Sequence, residues 1–167
     1  ACTDPFCFGT FQLYQGRDAY NLSEAEIQNY FEEFRKDYLA ACYGMYFAEI
    51  ADYYGRENND DRLLLKLMYQ SLKALAAPAL SNALVKCVFE LKAIAVNGEY
   101  PGIPTDIKLS DSTIYAMNYI VSSTIEKLYT FTVTEEVLKE LEGVCALYCK
   151  RFMDRKFKSL EILNTLC

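Results

Sequence analysis

Two consecutive apolar segments with a helical period constrain the fold of this chain more than any other feature. The first, LLLKLMYQSLKAL (63–75), is apolar nearly all round, and the second, ALSNALVKCVFELKAIA (79–95), has one broad apolar face. A helix that is apolar on all sides is buried by its neighbours, so we expect residues 63–75 to be central. Ala77-Pro78 separates the segments, because proline ends one helix and suits the first turn of the next. Asn97-Gly98 ends the second helix.

A helix start is also predicted at LSEAEI (22–27). Ser23 and Glu26 have the spacing of a capping box, and Leu22 and Ile27 have that of a hydrophobic staple. Aromatic residues continue an apolar face at steps of three and four residues, namely Tyr30, Phe31, Phe34 and Tyr38. We therefore expect a helix from residue 23 onwards.

Four further segments show helical patterns, and Asp60 or Asp61 is expected to cap the helix at 63–75. One segment covers 43–54 and ends near Gly55, one follows the Leu109-Ser110 cap, and a short one covers 125–129. The last long helix is capped by Thr132 or Thr134 and continues to Phe152. Six or seven helices with short connections predict an all-α bundle.

The N-terminal segment FCFGTFQLYQGR (6–17) differs from the rest, because it is aromatic and β-prone and is typical of a strand or hairpin end. A single strand needs partners. It therefore either belongs to a β domain missing from this chain or docks on the helices. The chain begins without an initiator methionine, which suggests a processed or partial chain, and we expect no signal peptide and no membrane span.

The composition argues against catalysis and against a metal site. The chain has no histidine, which removes the commonest general base and most metal sites. Its cysteines form no Cys-x-x-Cys pair, and Cys42, Cys87 and Cys145 fall at apolar helical positions, so we expect reduced core thiols. Cys145 and Cys149 share a helical face, but the sequence shows no third ligand. We predict a non-enzymatic protein without metal ligands.

The net charge of −6 argues against nucleic-acid binding by overall charge, but basic residues concentrate in KRFMDRKFK (150–158). These residues are Lys150, Arg151, Arg155, Lys156 and Lys158. They either complement a helix dipole and the acidic faces of the bundle, or contact phosphates with Phe152 and Phe157 interleaved. The sequence leaves both interpretations open.

Five segments, taken in order, resemble the bacterial recombination mediator family RecO. They are PFCFGTFQLYQGR (5–17), LSEAEIQNYFEEFRKDYLAACYGMYFAEIADYY (22–54), LLLKLMYQSLKALA (63–76), VFELK (88–92) running into NGEYPG, and RFMDRKFKSLEIL (151–163). The resemblance covers nearly the whole chain. It rests on the order and spacing of these segments, since no single one is highly specific.

The resemblance implies a cytoplasmic, nucleoid-associated bacterial protein without a cofactor, in which residues 1–20 are the remnant of an N-terminal OB-fold and residues 21–167 form the helical domain. Members bind single- and double-stranded DNA, anneal strands, and work with RecR to load RecA onto strands coated by single-stranded-DNA-binding protein (SSB). With this acidic chain, the missing OB-fold would carry most of the DNA affinity. The alternative is a helical regulatory or scaffolding domain unrelated to DNA.

The resemblance also suggests a docking site, since the acidic, Phe-terminated tail of SSB binds the helical domain of some members. Such a tail needs an apolar pocket rimmed by Lys or Arg. We expect the helix that carries Lys86, Phe89 and Lys92 to form one wall of this pocket. Core packing of Phe89 and a solvated rim for the two lysines are the structural alternatives.

One departure from the family concerns zinc. Many members follow the Tyr-Pro-like turn with a four-cysteine zinc module, whereas NGEYPGIPTDIKLSDS (97–112) runs directly into the next helix, with no cysteine between Cys87 and Cys145. We therefore expect this module and its zinc to be absent.

Overall fold

A two-stranded antiparallel hairpin precedes six α-helices in the part of the chain that the computed structural model describes, residues 4–56 and 59–166. Cys2 and Cys167 lie outside these residues. The elements are β1 (Phe8–Gln15), β2 (Tyr20–Asn29), α1 (Tyr38–Tyr54), α2 (Arg62–Ala76), α3 (Asn82–Val96), α4 (Asp111–Ser122), α5 (Glu135–Phe152) and α6 (Lys158–Leu166), with 3-10 turns at Glu32–Arg35 and Ile125–Lys127. The predicted helical bundle with an N-terminal β segment is confirmed.

The helix predicted from residue 23 is wrong, because Tyr20–Asn29 is a strand paired with β1. Leu13 pairs with Leu22 and Phe11 with Ala25 across the hairpin. The Ser23 hydroxyl donates to the carbonyl of Gln12 at 3.0 Å rather than capping a helix. The first long helix instead begins at Tyr38, where the Asp37 carboxylate accepts from the Ala40 N–H at 2.9 Å.

Three other helices begin directly after a side chain that caps their N-terminus. Ser110 accepts from the Thr113 N–H at 3.3 Å, and Thr134 accepts from the Val137 N–H at 3.4 Å, so α4 and α5 begin as predicted. Helix α3 is capped by Ser81, which accepts from Leu84 at 3.3 Å. Pro78 therefore lies in the turn between α2 and α3 rather than in the first turn of α3.

The central helix of the bundle is α3, not the predicted segment 63–75. Helix α3 contacts α1, α2, α4 and α5, and ten of its fifteen residues are buried. Helix α2 leaves Leu63 and Leu65 57% and 55% exposed. Three consecutive leucines point in different directions around a helix, and neighbouring elements cover only part of the circumference of α2.

The connection between α3 and α4 is held by hydrogen bonds to its backbone and side chains. The Tyr148 hydroxyl donates to the carbonyl of Gly102 at 2.7 Å, and the Tyr54 hydroxyl donates to Glu99 at 2.7 Å. Gly98 and Gly102 have φ values of +76° and +95°, a region that favours glycine. These contacts anchor the connection between α3 and α4.

Candidate functional site

The three residues predicted to line a docking pocket point in different directions from α3. Phe89 is fully buried and stacks on Phe47, with ring centroids 4.2 Å apart. Lys86 pairs with Glu90 of α3 and turns towards Tyr46 of α1, whereas Lys92 reaches the end of α4. The structure therefore does not bring them together on one exposed wall.

Lys92 is the residue of this group that borders a surface groove. Its ammonium donates to the carbonyls of Val121 and Ser123, both at 2.7 Å. A cation suits the C-terminal end of α4, where carbonyls lack helical partners. Burial lowers the pKa of Lys92, but the two carbonyls favour its charged form.

The groove beside Lys92 combines apolar side chains with a second lysine on α2. Its volume is about 440 Å³. Lys66 forms an ion pair with Glu126, whose pKa falls to about 2, chiefly because of the Lys66 hydrogen bond. The lining residues are Leu63, Lys66, Lys92, Val96, Ser123, Thr124, Ile125 and Glu126. An acidic ligand with one apolar side chain fits this set.

A larger cavity of about 820 Å³ lies between α4, residues 130–134 and the start of α5. Its walls include Tyr119, Phe131 and the 74% exposed Tyr115. Asp111 also lines it, and no lysine or arginine does so among the residues described. An acidic ligand therefore fits the groove beside Lys92 better than this cavity.

The five basic residues of the C-terminal segment are all exposed. Lys150 and Arg151 occupy the last turn of α5, which suits the helix dipole. Arg155 forms an ion pair with Asp52 at 2.7 Å. Lys156 follows in the connection, and Lys158 begins α6.

Phe157, one of the two aromatic residues interleaved with these charges, is buried in the core. Its ring packs edge-on against Tyr46, with centroids 5.6 Å apart. Phe152 is half-buried, and the guanidinium of Arg151 lies 5.3 Å from its centroid. Bases therefore cannot stack on the buried ring of Phe157, while the exposed cations stay accessible to phosphates.

The core contains a polar cluster that sequence reasoning did not assemble. Glu90 of α3 is 1% exposed; it accepts from the Tyr46 hydroxyl at 2.6 Å and from Lys86 at 3.2 Å. The thiols of Cys87 and Cys145 lie beside it, within 4.8 Å of its carboxylate. The spacings of Lys86 and of Cys87 from Glu90, four and three residues, are the local signals for these contacts; the contacts with Tyr46 and Cys145 have none.

Lys66 was also missed as a groove residue, because the sequence analysis assigned the helix at 63–75 to the interior. For an exposed lysine near the start of a leucine-rich helix, the sequence contains no pattern that distinguishes a binding residue from a solvated one.

Comparisons with known proteins place this fold in a family. No helix in the described parts of the chain is long and apolar enough to cross a membrane. The family model described as "Recombination protein O C terminal" matches residues 35–103 and 104–161. No solved structure matches the chain significantly.

Curated relatives match almost the full length of this chain. It is 25% identical to the DNA repair protein RecO of Acetivibrio thermocellus, over 99% of this chain and 79% of the relative. Identity to the DNA repair protein RecO of Clostridium novyi is 26%, over 99% of this chain and 77% of that protein. The protein of the same name from Clostridium perfringens is 26% identical over 97% of this chain and 85% of its own length. With most of its residues matched by the family model, this chain belongs to the RecO family and carries the RecO C-terminal domain.

Proposed function

We propose that this chain acts in DNA repair as a non-enzymatic recombination mediator, whose helical domain binds protein partners and assists DNA binding, annealing and RecA loading. Membership of the RecO family is the observation that carries the proposal, since the curated relatives are named DNA repair proteins. Partners under this proposal are RecR, single- and double-stranded DNA, and the C-terminal tail of SSB. The hairpin β1–β2 is proposed as the end of an OB-fold that supplies most of the DNA affinity.

The groove beside Lys92 is the proposed docking site for the SSB tail. A terminal Phe ring fits against Leu63, Val96 and Ile125, and the carboxylates of the tail fit Lys66. Lys66 is half-exposed and already pairs with a carboxylate, that of Glu126, so an incoming acidic group would replace Glu126. Lys92 keeps the positive potential of the groove while its ammonium stays on the carbonyls of α4.

The test is a titration of the chain with a fluorescent acidic peptide ending in Phe. We expect a dissociation constant in the micromolar range, about −8 kcal/mol, weakened by salt because the contacts are charged. Lys66→Glu is expected to abolish measurable binding, while Lys73→Glu serves as the matched control, since it carries the same charge change two turns along the same helix. Glu126→Gln is expected to tighten binding by up to about fivefold, because it removes a competing surface ion pair.

The outcomes separate the docking site from the wider role. Equal loss in both lysine variants would show a general charge effect and refute this groove. Absence of binding at low salt would refute tail docking on this chain and leave the repair role to DNA contacts. Those contacts are tested by measuring oligonucleotide binding to Lys156→Glu, with the exposed α5 variant Lys139→Glu as its control. If the two variants bind the oligonucleotide equally well, the basic segment serves to complement the helix end rather than to contact phosphates.

A further inference from the structure

The polar cluster in the core has the donor set of a metal site built from two helices. Cys87 and Glu90 lie three residues apart on α3 and therefore on one face, and Cys145 faces them from α5. The two sulfur atoms and a carboxylate oxygen lie within 4.8 Å of one another, and all three residues are buried. Cys145 follows Cys87 by 58 positions, so the packing of α5 on α3, rather than any local motif, brings the three groups together.

A third sulfur lies next to this group. Cys149, one helical turn beyond Cys145 on α5, interacts with both Glu90 and Tyr46. Burial raises the pKa of the Cys145 and Cys149 thiols. Thiolates and carboxylates are both among the ligands that Zn²⁺ takes in proteins, and its bonds to sulfur are about 2.3 Å long in tetrahedral sites.

The charges of the cluster balance with or without a divalent cation. In the metal-free protein, the Glu90 carboxylate is paired with Lys86, whose ammonium lies 3.0 Å from it. One Zn²⁺ that displaces the protons of Cys87 and Cys145 adds two positive charges and creates two thiolates. The total charge of the cluster is then unchanged, which matters because an uncompensated buried charge is costly.

We propose that Cys87, Glu90 and Cys145 bind one Zn²⁺ ion, with Cys149 beside the fourth coordination position. Binding forms two Zn–S bonds and one Zn–O bond and releases two thiol protons to solvent. Lys86 and Tyr46 hold the Glu90 carboxylate in place by hydrogen bonds, as outer groups commonly do for metal ligands. The site is distinct from the four-cysteine module expected to be absent from residues 97–112, and it does not depend on the proposed function.

The test measures metal content and proton release on the whole chain. Purified protein is reduced, stripped with a chelator, loaded with Zn²⁺ and exchanged into metal-free buffer before elemental analysis. We expect about one Zn²⁺ per chain, and close to two protons released per ion at neutral pH, because thiols must lose their protons to bind the metal. Co²⁺ loading is expected to give the thiolate charge-transfer absorption and intense visible bands of a tetrahedral site.

Variants locate the ion. Cys87→Ala and Cys145→Ala are expected to lose the retained Zn²⁺, while Cys42→Ala, which removes a buried thiol of α1 outside the cluster, is expected to keep it. Metal content well below one equivalent in the loaded wild-type chain would overturn the proposal, whether or not the variants fold. Stoichiometric zinc that survives both cluster substitutions would also overturn it, since the ion would then be held by other thiols.

Discussion

Replacing Lys86 by methionine is expected to destabilise the domain far more than the loss of a surface lysine would. The Lys86 and Glu90 side chains are 21% and 2% exposed, and the ammonium lies 3.0 Å from one carboxylate oxygen. Burial lowers the pKa of Lys86, but the charge and hydrogen bond of Glu90 outweigh this and raise it overall. Lys86 is therefore charged at neutral pH, and methionine would fill most of its volume without its charge.

The expected loss of folding stability in Lys86→Met follows from the partner that Glu90 loses. Its carboxylate would keep the Tyr46 hydroxyl at 2.6 Å but no positive partner. Breaking a buried ion pair by removing one side costs about 3–5 kcal/mol, and we expect about 3 kcal/mol because Lys86 is partly open to water. For a domain of this size, that corresponds to a fall in thermal midpoint of roughly 6–12 °C.

The assay is urea and thermal unfolding followed by circular dichroism, at neutral pH and with a metal chelator so that no bound ion contributes. Lys139→Met on the exposed face of α5 is the matched control and is expected to change stability by less than about 0.5 kcal/mol. Lys86→Met/Glu90→Gln is expected to recover part of the loss, because glutamine is neutral and can still accept from Tyr46.

The pH dependence has a fixed sign. A lysine whose pKa is raised in the folded state contributes stability that is complete below its ordinary pKa of about 10.4 and disappears as pH rises through the higher folded value. The difference between wild type and Lys86→Met is thus expected to stay constant across neutral pH. A loss no larger than that of Lys139→Met, or no recovery in the double variant, would refute the reasoning that Lys86 neutralises a buried carboxylate.

Three smaller effects are expected elsewhere in the bundle. Lys92→Met should cost about 1.5 kcal/mol in urea unfolding, the lower end for hydrogen bonds to a charged group, because half-buried carbonyls at the end of α4 can bind water instead; no change would contradict its role as a helix-end partner. Gly102→Ala should cost about 1–3 kcal/mol from its positive φ alone, since no atom lies within 4 Å of the added carbon. Lys66→Met should raise the pKa of Glu126 from about 2 towards its ordinary value of about 4.3. The ion pair contributes stability that is present above the ordinary pKa of Glu126 and is lost as pH falls towards 2, so this contribution should shrink in the variant. NMR titration of the Glu126 carboxylate measures the change, and an unmoved pKa would refute the pairing.

Two segments of the sequence show how far local patterns predict this fold. LSEAEI (22–27) and LSDSTI (109–114) both place leucine before serine and isoleucine five residues after leucine. Ser110 caps α4 as predicted, whereas Ser23 lies in β2 and donates to Gln12. The difference is not local, because β2 has an adjacent strand with which to pair and residues 109–114 do not. Helix propensity yields to such pairing.

The candidate sites were less predictable than the helices, because their contacts join distant parts of the chain. Tyr46 and Glu90 are 44 residues apart, and Lys92 and Ser123 are 31 apart. A lysine on an apolar helix is most simply interpreted as a surface residue, and that interpretation placed Lys86 and Lys92 on one rim. Only the packing of α3 against four helices shows that each lysine has a separate partner.

The central position of α3 also decides where a partner of this domain can bind. Because neighbours surround α3, the polar residues in its middle must be satisfied inside the bundle, and a protein partner cannot reach them. A partner can reach α3 only at its margins, and the groove between α2 and residues 123–126 is such a margin. There, Lys66 is half-exposed and pairs with a surface carboxylate, so its substitution should cost little stability. Lys66 variants therefore separate partner binding from folding, which variants of Lys86 cannot do.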